Sequence, residues 1–304
     1  MKGNIIKLKG LFSRPLTGKK VARLGILLVI FIILGYCAIS IFYALFYTTV
    51  LNRSLGQESP ASYGLPFEEV TFPSDAPDNL VLRGWWVPNP EARQALIMVH
   101  GQNQNRTSLL PLAKGLWASG YSLLFFDLRG HGLSGGDHHT FGYFEQWDVV
   151  GAADFVRGKG FGASSIGAIG WSMGGPTTIM AMSQSNNIKA AVSDSGYANL
   201  RPLHHHELLY PGILLASRLF RGYDPEQIQP GQAITKLGSR HLFLIHGEQD
   251  TLIPVSEFEE LKKLGGSNVT ESWLVAGAGH ISSFNKDPEE YLRRVRAFFR
   301  VELQ

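Results

Sequence analysis

A serine flanked by glycines is the sequence pattern that most suggests a catalytic nucleophile. Residues 170–175 read Gly-Trp-Ser-Met-Gly-Gly, which places Ser172 between two glycines. The short apolar run before it, 166–169, predicts a buried strand, and the residues after it have helical composition. A nucleophilic serine on such a sharp strand-to-helix turn needs small neighbours and lies at the positive end of the helix. Because the chain holds 34 glycines, the position of the motif, more than the motif itself, predicts a nucleophile rather than a simple helix cap.

Four motifs together resemble the α/β-hydrolase superfamily, in particular its serine esterase, monoacylglycerol lipase and serine aminopeptidase-like members. The likeness covers roughly residues 67–302 and is specific as a set, although it does not specify a substrate. In chain order the motifs are Val-His-Gly-Gln at 99–102, Asp-Leu-Arg-Gly-His-Gly-Leu-Ser at 127–134, the glycine-flanked serine, and His-Gly-Glu-Gln-Asp at 246–250 with His280 downstream.

The resemblance implies a base and an acid to accompany the serine. A serine hydroxyl is a weak nucleophile and needs a base to accept its proton. His280, in the run Gly-Ala-Gly-His, stands where the family keeps that base, and Asp250 stands where it keeps the acid that orients the imidazole. Two rivals for the acid remain open, namely Asp194 after the preceding predicted strand and Glu248 close to Asp250.

An oxyanion that develops during attack requires two backbone N–H donors. The family pattern assigns them to Met173, directly after the nucleophile, and to Gln102, with the register of the latter uncertain by one residue. Since these donors are main chain, replacing Gln102 by alanine is expected to leave much of the activity. The run 127–131 resembles a second acid and base set, but in the family it forms a structural turn.

Alternating strands and helices must position these residues. Apolar runs at 94–99, 121–126, 166–169, 189–192 and 241–245 predict buried parallel strands, and the segments between them have helical length. Two antiparallel strands are predicted to lead, at 68–72 and 81–87, and a last strand at 271–275 precedes a helix at 288–301. We therefore expect an α/β-hydrolase fold with a mostly parallel eight-stranded sheet flanked by helices and a small lid at about 197–232.

The N-terminal part predicts a membrane anchor. Residues 24–47 are almost entirely apolar and, as a helix, would rise roughly 36 Å, enough to cross a hydrocarbon core of about 30 Å. The alternative is a cleaved signal sequence, but the apolar run continues past the possible cleavage site. The basic segment 1–23 predicts a cytoplasmic N-terminus and an extracytoplasmic catalytic domain. We expect a linker at 48–66 and the hydrolase domain at 67–302.

Charge and cysteine content exclude several classes of function. Residues 1–53 carry eight basic side chains and no acid, so the total of +3 leaves −5 for the remainder, which argues against a nucleic-acid partner. The only cysteine, Cys37, lies in the predicted anchor, so the domain has neither a disulfide nor a cysteine nucleophile. Consecutive histidines at 204–206 cannot all reach one tetrahedral zinc ion. No cofactor and no metal are expected.

The leading interpretation is a serine hydrolase, similar to carboxylesterases and lipases, that cleaves an ester or related acyl bond through an acyl-enzyme on Ser172. Its substrate would be a small-molecule or lipid-like acyl ester. The same triad could serve an acyltransferase or a peptidase. A different class of function is an inactive hydrolase fold retained as a membrane-tethered binding module.

Overall fold

The core of the protein is an eight-stranded sheet. The computed structural model describes residues 17–200 and 207–304. Its strands are β1 (Glu68–Pro73), β2 (Val81–Val87), β3 (Gln94–Val99), β4 (Tyr121–Phe126), β5 (Ile166–Trp171), β6 (Ala190–Asp194), β7 (His241–Gly247) and β8 (Val269–Val275). Their order in the sheet is β1-β2-β4-β3-β5-β6-β7-β8. The two joins made by β2 are antiparallel, and every other pair is parallel.

Helices cover both faces of this sheet. In the described residues they are α1 (Gly18–Thr48), α2 (Leu110–Trp117), α3 (Glu145–Gly158), α4 (Gly174–Gln184), α5 (Tyr210–Phe220), α6 (Pro230–Ala233), α7 (Val255–Gly265), α8 (Ser283–Lys286) and α9 (Pro288–Glu302). One apolar cluster joins the sheet to α3, α4 and α7, and a second joins its other face to α2 and α9. Every residue of β4, β5 and β6 is buried, as expected for central parallel strands covered on both sides.

Five strands are longer than the sequence predicts, namely β1, β5, β6, β7 and β8, and the reason is clearest in β5 and β8. β5 continues through Gly170 and Trp171, which pair with Ser193 and Asp194 of β6. β8 begins at Val269, which pairs with β7 before a shift in register. In both cases pairing with a neighbouring strand extends the strand beyond its own apolar run.

The first helix, α1, is long, apolar and mostly exposed. It begins at Gly18, before the predicted start at residue 24, and so includes three basic residues in its first turns. Within the described part of the chain it is the one helix long and apolar enough to cross a membrane. Only three of its residues are buried, and they recur every fourth position: Ser40, Ala44 and Thr48.

That buried stripe packs against α5, which lies within the predicted lid. The two helices meet at Gly212, where an added methyl group would overlap the Ser40 hydroxyl, and at a small apolar cluster of Ala44, Ile213 and Ala216. The backbone N–H of Gly212 donates to the Tyr36 hydroxyl at 3.0 Å. Residues 201–206 of the predicted lid lie outside the described residues.

The segment predicted as a linker, 48–66, packs on the domain. Val50 and Leu65 are buried, and the carbonyl of Thr48 accepts the backbone N–H of His139 at 2.9 Å. The Arg53 guanidinium donates to four carbonyl oxygens of the loop 131–136, including that of Ser134. These contacts fix the end of α1 relative to the sheet.

Candidate active site

Ser172 lies on a tight turn between β5 and α4. Its φ of +51° is in the left-handed region, which is strained for any residue other than glycine. Gly170 and Gly174 permit the turn, since a Cβ on either would overlap main-chain atoms of a neighbouring segment. The Ser172 N–H donates to the Asp194 carbonyl at 2.9 Å, which ties the turn to the end of β6.

The structure brings His280 and Asp250 to this serine. Nε2 of His280 lies 2.8 Å from the Ser172 Oγ, and Nδ1 lies 2.7 Å from Asp250 Oδ2. This pattern fits an imidazole that donates from Nδ1 to the carboxylate and accepts the serine proton at Nε2. The three residues follow β5, β7 and β8, so the carboxyl edge of the sheet assembles them from positions 108 and 30 residues apart.

The carboxylate of Asp250 is buried and held as an anion. Burial pushes its pKa upward, but hydrogen bonds from His280 and from the backbone N–H groups of Ile253 and Leu252 outweigh that effect, so the pKa lies below its ordinary value. The two backbone N–H groups donate to Oδ1, each at 2.9 Å, and leave Oδ2 to the imidazole. Asp250 therefore has the charge and the geometry needed to stabilise an imidazolium.

The two rival acids contact other groups. Oδ1 of Asp194 accepts from the hydroxyls of Ser195 at 3.0 Å and Ser283 at 3.2 Å, and burial raises the pKa of Asp194 to about 6. Glu248 accepts the backbone N–H of Gly277 at 3.0 Å. Of the three candidate acids, Asp250 is the one that meets the imidazole.

The predicted oxyanion donors lie on two segments beside the serine. Met173 is the residue before the first turn of α4, and Gln102 follows β3. Within the described residues, neither backbone N–H donates a hydrogen bond, so both are available to a ligand. The loop that carries Gln102 adjoins Ser172, because a methyl group on Gly101 would lie 3.0 Å from the Ser172 Cβ.

Three buried histidines support this loop, a role that sequence reasoning missed. The rings of His100, His131 and His139 form a column with centroids 4.8 and 5.3 Å apart. Nε2 of His131 accepts the backbone N–H of Asn103 at 3.3 Å, where Asn103 has a φ of +56°. Burial lowers the pKa of all three, and that of His139 falls to about 3. The column therefore stays neutral and accepts hydrogen bonds at neutral pH.

Ser195 is a second residue that sequence reasoning missed. Its backbone has a φ of +56°, and its hydroxyl accepts the N–H of Ile281 at 3.0 Å, directly after the imidazole. Ile281 itself has a φ of +46°, which is rare for a β-branched residue. Ser195 therefore anchors the strained loop that holds His280. Its position immediately after β6, at the functional edge of the sheet, was the available signal.

The turn 127–131 makes structural contacts. The Arg106 guanidinium donates to the buried carboxylate of Asp127, and Arg129 pairs with Asp148 at 2.7 Å. Asp127 also accepts the backbone N–H groups of Arg106 and Leu133. These side chains fix the loops behind the site and do not reach Ser172.

Other candidate sites carry little chemistry. A cavity of about 610 Å³ is lined by residues that include parts of α3, α4 and the segment 226–236, and none of the three assembled residues lines it. Across residues 17–200 and 207–304 no cluster of histidine, cysteine and acidic side chains could hold a metal ion. His204, His205 and His206 lie outside the described residues.

Comparison with known proteins supports the fold. The family model described as the alpha/beta hydrolase fold matches residues 94–236, which include Ser172 and end before Asp250 and His280. The protein YqkD of Bacillus subtilis strain 168 is 26% identical over 231 residues, covering 71% of this chain and 74% of the relative. YfhR of Escherichia coli K12 is 26% identical over 226 residues, covering 72% and 75%.

Solved structures extend the similarity over more of the chain. The esterase Pf2001 of Pyrococcus furiosus superposes with a TM-score of 0.69 at 27% identity, covering 83% of this chain and 99% of its own. The acylaminoacyl peptidase of Pyrococcus horikoshii, at 20% identity, shares the fold with a TM-score of 0.59, over 79% of this chain and 42% of its own. The predicted fold class is confirmed, and the fold with such neighbours supports a hydrolase. The chain has the α/β-hydrolase fold, and its residues 94–236 match the model of that family.

Proposed function

We propose that the protein is a membrane-anchored serine hydrolase that cleaves an ester or related acyl bond with Ser172 as nucleophile, His280 as base and Asp250 as the orienting acid. One observation carries the proposal: the imidazole of His280 lies within hydrogen-bond distance of both the serine hydroxyl, at 2.8 Å, and the buried carboxylate, at 2.7 Å. Distances of about 2.6–3.2 Å are those required for proton transfer by a general base.

The reaction follows from this geometry. His280 Nε2 takes the hydroxyl proton as Ser172 Oγ attacks the acyl carbon, and the backbone N–H groups of Gln102 and Met173 stabilise the oxyanion. The imidazolium then gives its proton to the departing alcohol, and the acyl group remains on Ser172. In the second half of the cycle a water molecule, deprotonated by His280, releases the carboxylic acid and frees the serine.

The similarity to the esterase Pf2001 supports an ester as the first substrate to test. Pf2001 is aligned over nearly its whole length, whereas the peptidase neighbour is matched over less than half of its own. No cofactor enters the proposed steps, because the serine, the imidazole and the N–H donors supply nucleophile, base and charge stabilisation.

The proposal includes an arrangement in the membrane. A basic segment at 1–23 would lie in the cytoplasm, residues 24–47 would span the bilayer, and a short connection at 48–66 would lead to the hydrolase domain at 67–302 outside the cytoplasm. In a Cys37→Ser background, the Gln57→Cys variant should react with an impermeant maleimide on intact cells and the Lys9→Cys variant should not. The reverse pattern would overturn the orientation, and release of the protein by alkaline carbonate would overturn the anchor.

A fluorophosphonate probe tests the enzymatic proposal. The full chain in detergent is expected to be labelled covalently, and the Ser172→Ala variant is expected to lose both labelling and hydrolysis of p-nitrophenyl esters. A folded wild-type protein that takes no label would favour the binding module. Labelling that persists in Ser172→Ala would place the nucleophile elsewhere.

A further inference from the structure

A cavity lies beside residues 101–103, the oxyanion loop, which carries the predicted donor Gln102, and the end of α1 forms one wall of this cavity. Its volume is about 370 Å³, and it lies between Phe46, Tyr47 and Leu51 on one side and Gln102 and Asn103 on the other. Small-molecule sites in proteins measure roughly 300–1,000 Å³. The cavity is therefore large enough to hold part of a substrate.

This cavity lies next to the nucleophile. Gly101 touches Ser172, as the 3.0 Å approach of a hypothetical Gly101 methyl group to the serine Cβ shows, and the next two residues line the cavity. The side-chain amide of Gln102 also donates to the Tyr47 carbonyl at 3.1 Å. One end of the cavity is consequently polar and adjoins the loop that would receive the oxyanion.

The opposite end of the cavity continues into the apolar surface of α1. Phe46 and Tyr47 are each 47% exposed, and Leu51 is 78% exposed. No charged residue occurs between Leu24 and Asn52, so the apolar wall runs without interruption into the candidate membrane span. Tyr43 and Tyr47 lie near the outer end of the helix, as expected for aromatic residues at a membrane interface.

α5 enlarges this apolar surface. It packs on α1 through small residues four apart on both helices, Ser40 with Ala44 and Gly212 with Ala216, a contact typical of helices inside membranes. Its other side leaves Leu215, Leu219 and Phe220 exposed by 58%, 68% and 54%. A bilayer that receives α1 would cover these side chains as well, which places the cavity at the membrane surface.

We propose that this cavity binds the apolar chain of an amphiphilic acyl substrate that reaches Ser172 from the bilayer along α1. The inference rests on the proposed function and specifies its substrate class. The reacting acyl carbon would lie at the polar end, by Gln102, and the chain would extend along Phe46 and Leu51. Each methylene buried in this way should raise kcat/KM by roughly fourfold until the cavity is filled.

A pair of matched variants tests the proposal on the full chain in lipid nanodiscs. The quantity measured is the ratio of kcat/KM for p-nitrophenyl decanoate to that for p-nitrophenyl butyrate. Phe46→Ala removes part of the cavity wall and should lower this ratio by about tenfold. Phe31→Ala removes the same type of side chain elsewhere on α1. Phe31 is 74% exposed and does not line the cavity, so this variant should leave the ratio unchanged.

A second variant guards against misfolding. Leu51→Ser changes an exposed residue that follows the helix and should lower the ratio in the same direction. An unchanged ratio in both cavity variants, or an equal fall in Phe31→Ala, would overturn the inference. Fluorophosphonate labelling of Ser172 separates the two proposals: an unlabelled wild type contradicts the hydrolase itself, whereas a labelled enzyme without the chain-length effect contradicts only the cavity.

Discussion

The reactive edge of the sheet and the approach to it are built differently. Ser172, Asp250 and His280 each follow a strand of the sheet, and their loops are fixed by main-chain hydrogen bonds to neighbouring strands and loops. The approach depends instead on α1 and α5, whose contacts join residues as far as 176 positions apart through small side chains. The sheet therefore brings the candidate reactive groups together, whereas the proposed route of access to them depends on the two attached helices.

The largest expected effect belongs to the reactive edge. Asp250→Asn should reduce kcat by about 10⁴-fold, because an amide favours the wrong imidazole tautomer and cannot stabilise the imidazolium. Asp194→Asn is the matched control, since its side chain contacts Ser195 and Ser283 instead of the imidazole, and it should cost far less. Rapid-quench kinetics on a p-nitrophenyl ester measures both. An equal fall in kcat in the two variants would mean that Asp194 is again a candidate for the acid that orients the imidazole.

The second prediction concerns stability at the same edge. Burial raises the pKa of Asp194 to about 6. The Asp194 carboxyl therefore binds its proton more tightly in the folded state than in the unfolded state. The free energy of unfolding should fall by up to about 3 kcal/mol as the pH rises from about 4 to 6 and this proton is lost. Asp194→Asn cannot titrate, so its unfolding free energy relative to wild type should rise across that window. Denaturant unfolding at pH 4.5 and 7 checks this, and a constant difference would contradict it.

The third prediction tests the attached helices. Gly212→Leu should force α1 and α5 apart, because even a Cβ at this position overlaps the Ser40 hydroxyl. Overpacking of this kind costs about 2 kcal/mol, which corresponds to roughly 4–8 °C in Tm. Gly35→Leu is the matched control on α1, where nothing lies within 4 Å of the added Cβ. Thermal unfolding in detergent should show a lower Tm for Gly212→Leu and an unchanged Tm for Gly35→Leu. Equal shifts in the two variants would show that the helices do not pack as described.

The smallest effect is expected where the two regions meet. Gln102→Ala removes the amide that bridges the Tyr47 carbonyl and the His139 ring, a bond worth about 1 kcal/mol. We expect kcat/KM for short esters to fall about fivefold, because the oxyanion loop loses its tie to α1. Gln104 is an unsuitable control, since it holds the Gly101 N–H. The variant Gln102→Asn should recover little activity, because its side chain is one methylene shorter and its amide no longer reaches the Tyr47 carbonyl. Full activity in Gln102→Ala would show that the side chain has no positioning role.

Much of the fold was predictable because its signals are local. The apolar runs of the parallel strands, the glycines around Ser172 and the position of Asp250 after β7 can each be identified within about ten residues of sequence. Parallel strands end at one edge of a sheet, so the motifs imply that their side chains converge there. The prediction that Gln102 matters only through its main chain follows from the same local reasoning and leaves out the amide bond to Tyr47.

Contacts between distant segments were beyond such reasoning. Nothing in the sequence near residue 212 indicates that it packs on Ser40, and nothing near residue 53 indicates that Arg53 binds the loop 131–136. Ser195 and the histidine column likewise act through partners 28 to 86 residues away. Such contacts depend on the three-dimensional arrangement of whole elements, and only the structure gives them.

The most direct test of the central claim is to trap the acyl group on Ser172. Rapid quenching of the full chain during turnover of p-nitrophenyl butyrate, followed by peptide mass spectrometry, should find a butyryl group on the peptide that contains Ser172, together with a burst of p-nitrophenol. The His280→Ala variant should show neither. Turnover by the wild type with no adduct, or with an adduct on another residue, would contradict the account.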